Sequence, residues 1–152
     1  MKAKKFLVSM LSVFALTSLA PIASAQISSE VSTQKQKLIP LFENQPYSGS
    51  YVITPRFTLG EWESVRVVVH NQTAPAGYTA RVLYKLRRKT DDGWERIYTF
   101  EAKGNNLVNY QSEDFGREGE CHFLIQFNVL DAQGNIVDDL EPTGSYSIYK
   151  IP

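Results

Sequence analysis

The chain has 152 residues, 16 basic and 16 acidic side chains, and one cysteine. Its length fits a single domain, and the lone Cys121 excludes an intramolecular disulfide. The balanced charge gives no chain-wide attraction to nucleic acid, which requires a local excess of Lys and Arg.

The first 25 residues, MKAKKFLVSMLSVFALTSLAPIASA, form a basic start (Lys2, Lys4, Lys5), an apolar run from Phe6 to Ala20, and a small-residue site at Ala23, Ser24 and Ala25. This is the pattern of a secretory signal peptide, with cleavage predicted after Ala25. The apolar run is shorter than the ~20 residues a membrane span requires, and Pro21 follows it. Cleavage removes three lysines and leaves 127 residues with 13 basic against 16 acidic side chains. The expected product is secreted and extracellular, with no membrane attachment. An exported domain with a single Cys must rely on burial for stability, a habit of bacterial rather than animal secretion.

Residues 26–44, QISSEVSTQKQKLIPLFEN, read as a short polar N-terminal arm or linker, with Leu38 to Phe42 as its first contact with a domain spanning 45–152. Beyond Gln45 the periodicity is that of strands. In ESVRVVVHN, Val65, Val67 and Val69 alternate with Arg66, Val68 and His70. In TARVLYKLRRK, Ala80, Val82, Tyr84 and Leu86 alternate with Arg81, Leu83, Lys85 and Arg87. Turn chemistry separates these runs at 74–77, 90–94, 103–106, 115–120 and 131–135. Strands are predicted near 48–59, 63–71, 78–88, 94–102, 107–113, 121–130 and 144–151, with 136–140 extending the penultimate hairpin. The fold class is therefore all-β, a single sandwich of about seven antiparallel strands.

Two stretches carry a resemblance. FTLGEWESVRVVVHN (57–71) resembles the early strand pair, and CHFLIQFNVLDAQGNIV (121–137) the penultimate strand, of immunoglobulin-like and fibronectin-III-like modules in secreted bacterial proteins. The likeness covers roughly residues 48–151 and departs from antibody domains in lacking the Cys…Trp…Cys set. The chain is also similar to small secreted proteins of Gram-positive bacteria. The resemblance implies a sandwich and no particular activity.

The adjacent pair Cys121–His122 raises the question of a thiol–imidazole dyad. Successive strand residues point to opposite faces, so the two cannot reach each other. Cys121 is assigned to a core face with Phe123, Ile125, Phe127 and Val129, and His122 to the other face. Two His and one Cys offer no zinc spacing. DAQGNIVDD lacks the order of a calcium loop, so Asp131 and Asn135 read as turn caps. No nucleophile, base and orienting group can be assembled from strand geometry. The reading is accordingly non-enzymatic, with no metal and no cofactor.

Binding residues are sought instead among exposed aromatics and cations. Trp62 lies in a turn between Glu61 and Glu63, Trp94 opens a strand after a hairpin turn, and Tyr98 follows on that strand. Arg81, Lys85 and Arg87 share one face, with Glu95 and Glu101 on the neighbouring strand as cross-strand partners. The expected function is a binding or accessory domain with an extracellular protein or glycan partner, acting as a monomer. A carbohydrate or cell-wall-polymer module and a protease inhibitor inserting a loop near 71–79 are the alternatives.

Overall fold

A computed structural model describes residues 37–115 and 118–152. The predicted signal peptide and the start of the predicted polar arm lie outside these residues. The described chain forms nine strands: β1 (Ile39–Pro46), β2 (Tyr51–Ile53), β3 (Phe57–Leu59), β4 (Ser64–Thr73), β5 (Thr79–Thr90), β6 (Gly93–Lys103), β7 (Tyr110–Phe115), β8 (Gly119–Leu130) and β9 (Thr143–Ile151). One sheet has the order β1-β9-β4-β7 and the other β2-β8-β5-β6, with β3 also pairing with β8. Every pairing is antiparallel. The protein is a β-sandwich.

The core lies between the sheets and is built from the inward halves of the alternating strands. Val65, Val67 and Val69 of β4 face Val82, Tyr84 and Leu86 of β5 and Cys121, Phe123, Ile125 and Phe127 of β8. The five residues assigned to the core on β8, including Val129, are all buried. Burial of each such side chain stabilises the fold by about 1.5–3 kcal/mol. A polar link crosses this apolar layer. The fully buried Gln72 of β4 donates through Nε2 to the carbonyls of Ala102 (3.0 Å) and Gly104 (3.1 Å), on and just after β6. Its Oε1 accepts from the Tyr47 hydroxyl at 2.9 Å, which also meets the Tyr84 hydroxyl at 3.1 Å.

Nine strands rather than seven follow from two local causes. The stretch read as one strand over 48–59 divides at Pro55, because proline has no N–H for the ladder. Both halves pair with β8, β2 opposite Leu124–Gln126 and β3 opposite Gly119–Cys121. The second cause is β1, which lies in the segment read as linker. Its pairing with β9 is broken by two register shifts, and it is half-exposed, so it has no clean period of two. The sandwich thus begins at Ile39 rather than at 45. The expected extension over 136–140 is reduced to one bridge, Leu130 to Ile136, with Val137 N–H donating to the Val129 carbonyl at 2.9 Å.

Candidate functional site

The division at Pro55 creates the site. Ile53 pairs with Leu124 and Phe57 with Cys121, so three residues (54–56) lie opposite two (122–123). Thr54 keeps this edge attached: its N–H donates to the Phe123 carbonyl, and its Oγ1 accepts from the Phe123 N–H, both at 2.9 Å. Pro55 and Arg56 swing clear, and a cleft of about 430 Å³ opens on the outer face of the second sheet. Ile53, Thr54, Pro55, Arg56, Arg87, Trp94 and His122 line it. Bulges commonly re-aim side chains next to functional sites.

Register brings the functional groups together. Arg87 pairs with His122, and Lys89 with Trp94, so three neighbouring strands converge on one outward patch. The His122 imidazole packs 4.0 Å from the Trp94 ring, centroid to centroid. The Arg56 guanidinium lies 5.3 Å from the same ring, a cation–π contact. Arg87 donates to the Trp94 carbonyl at 2.8 Å, which fixes its guanidinium beside the ring. Glu120 holds Arg56 at 3.2 Å and Lys89 at 3.5 Å from the rim.

His122 is only 6% exposed, and its Nε2 finds no hydrogen-bond partner among the described residues. Such an orphan polar atom costs free energy and calls for an explanation. Burial holds the imidazole below its usual pKa, Arg87 and Arg56 push it further down, and Glu120 opposes them. The ring is therefore neutral at pH 7 and offers one donor and one acceptor. Two guanidiniums, an indole face and an unpartnered imidazole suit a ligand that joins an anionic group to a flat, apolar body.

No family model, curated protein or solved structure matches this chain.

Of the residues singled out in the sequence, Trp94 and Arg87 meet in this cleft. Arg81 and Lys85 share the outer face with Arg87 but are committed elsewhere. Arg81 pairs with Glu101 at 2.6 Å, and Lys85 is bonded to Gln126 of β8. They do not form a free cationic stripe. Tyr98 is not beside Trp94. A register shift between Leu86 and Arg87 reverses the phase of β6, so Tyr98 packs against the core and its hydroxyl meets Ser112 of β7 at 2.7 Å. Trp62 is exposed in its own turn, outside the set that lines the cleft. Arg56 and His122 were missed as site residues. The outward face of His122 was readable from parity; its cover by Trp94 was not.

Two other arrangements bear on chemistry. Ser147 Oγ lies 3.0 Å from His70 Nε2, and His70 Nδ1 lies 3.1 Å from Asn109 Oδ1, which is the connectivity of a serine–histidine relay. Ser147, however, is 1% exposed, and its Oγ already accepts the Asn44 N–H of β1 at 3.0 Å. A substrate carbonyl has no route to that oxygen, and the chain of bonds secures edge strand β1. Cys121 faces the core, and burial pushes its thiol up to about 11, so no thiolate forms at neutral pH.

Asp131 does cap its turn: Oδ1 accepts from the N–H groups of Gln133 (2.9 Å) and Asn135 (2.8 Å). The 71–79 segment contains a tight turn, with Tyr78 N–H donating to the Pro75 carbonyl at 3.1 Å. Asn105 Oδ1 holds its two ends through the Ala74 and Ala80 N–H groups.

Proposed function

We propose that the chain is a secreted, non-enzymatic binding domain, an immunoglobulin-like module whose ligand docks in the Trp94 cleft. The ligand combines a carboxylate or similar anion with a flat apolar face; an acidic sugar ring has this chemistry. The observation that carries the reading is the convergence of the Trp94 ring, Arg56 and Arg87 on one cleft, with the unpartnered imidazole of the buried His122 packed against the indole. Indole stacking provides the apolar contact, and the guanidiniums provide charge-assisted hydrogen bonds. Arg56 supports the reading further because its ion pair with Glu120 is exposed, and a ligand anion can replace it at little cost.

The test uses Trp62→Phe, which leaves Trp94 as the sole tryptophan. Titration with a galacturonate oligomer is expected to change the Trp94 fluorescence saturably, and a neutral maltose oligomer to bind at least about tenfold more weakly. Arg87→Ala should abolish the change. A response equal for both sugars, or unaltered by Arg87→Ala, would refute the assignment.

A further inference from the structure

Trp62 is 86% exposed, the highest value among the exposed large apolar residues described. It sits in the turn between β3 and β4, closed by the Glu63 N–H to the Gly60 carbonyl at 3.3 Å. The Glu63 carboxylate stiffens that turn, accepting the Gly60 N–H at 2.6 Å and pairing with Lys150 at 3.0 Å. Trp62 has φ +68°, a left-handed conformation that Gly and Asn adopt far more readily than a bulky residue. The other described non-glycine residues with positive φ (Asn44, Asn71, Asn106 and Asn109) are all asparagines. Within its own domain Trp62 strains the turn and buries almost nothing, so the fold does not account for it.

The cleft has the complementary chemistry. The tip presents an indole next to Glu61, which makes no ion pair with any described residue. The cleft presents Ile53, 55% exposed, and the Trp94 ring, with two guanidiniums at hand. Tip and cleft also flank the same short strand: Arg56 precedes Phe57, and the turn follows Leu59. Three strand residues span only ~10 Å. A two-fold axis beside β3 can therefore bring each tip to the other copy's cleft, which closes the assembly.

We infer that the Glu61–Trp62 tip of one copy seats in the Trp94 cleft of a second, giving a reciprocal two-fold dimer. The inference rests on the cleft being a site for an anion joined to a flat apolar group. Trp62 packs over Ile53 and meets Trp94, and the Glu61 carboxylate replaces Glu120 as the partner of Arg56. The self-complementary occupant replaces the monomer expected from the sequence, and an acidic ligand competes with it.

Sedimentation velocity of the purified protein over a concentration series tests this. The wild type should shift from monomer to dimer, and Trp62→Ala should weaken association by about tenfold or more. Arg56→Glu and Glu61→Arg should each be monomeric, because each dimer would place like charges together. Their equimolar mixture should associate again, since one contact is then native and the other is reversed in sign but complementary. A wild type monomeric throughout the series, a dimer indifferent to Trp62→Ala, or a mixture that fails to associate would overturn the inference. Galacturonate binding retained under any of those results would leave the cleft assignment standing; its loss as well would remove both.

Discussion

Replacing Gln72 with leucine isolates the polar link between the sheets. Leucine keeps most of the volume and adds apolar surface, but removes three hydrogen bonds at once: those from Nε2 to the Ala102 and Gly104 carbonyls and that from the Tyr47 hydroxyl. Gln72 is fully buried, so water cannot replace the lost partners within the packed core. At about 1 kcal/mol net for each bond, the expected loss is about 3 kcal/mol, a large part of the ~5–15 kcal/mol by which domains are stable. Tyr84→Phe removes only the 3.1 Å contact with Tyr47 and leaves Gln72 in place, so its expected cost is about 1 kcal/mol. Urea denaturation followed by fluorescence, at unchanged slope, measures both. If Gln72→Leu fell within about 0.5 kcal/mol of wild type, or cost no more than Tyr84→Phe, the link would not have the role assigned to it.

Three further outcomes follow from named groups. Burial pushes the Tyr47 hydroxyl up to about 12, and Tyr84 and Tyr146 are raised as well; with folded values above the unfolded one, stability is complete below pH 10 and declines as pH rises, by about 1.4 kcal/mol per pH unit for Tyr47 alone. Urea midpoints that stay level from pH 9 to 12 would contradict that. A thiol reagent at pH 7.5 should modify Cys121 only on unfolding, so its rate should rise steeply with added urea; rapid modification of the native protein would show an accessible thiol that the buried position excludes. Gly144→Ala should destabilise by about 2 kcal/mol or more, because a Cβ there would lie 3.0 Å from Gln72 Cα and from Tyr47 Cε2 at φ +144°; a thermal midpoint equal to wild type would refute it.

Strand β8 was legible because its residues alternate strictly from Leu124 to Val129 and its core-facing residues are mostly large and apolar. The hairpin at 90–93 and the Asp131 turn were legible because their signals are local. β1 was not: Ile39–Pro46 contains two prolines and is defined as a strand only by β9, which lies about a hundred residues away in the chain. The site was half legible. Trp94 and Arg87 stand out by type and parity, whereas Arg56 and His122 join them only through the register of β8 with β5 and the gap at Pro55. Tyr98 shows the converse. It shares parity with Trp94 in the sequence, yet one register shift sends it to the opposite face.

A ligand in the cleft should perturb the His122 imidazole through the Trp94 ring packed against it. Imidazole nitrogen NMR during titration with the galacturonate oligomer tests it most directly, because the chain has only two histidines, His70 and His122. The prediction is a saturable shift of His122 Nε2 that tracks Trp94 fluorescence while the His70 signals, on the other sheet, stay fixed. Binding that moves His70 and leaves His122 unchanged would place the ligand elsewhere on the protein and refute the Trp94 cleft as its site.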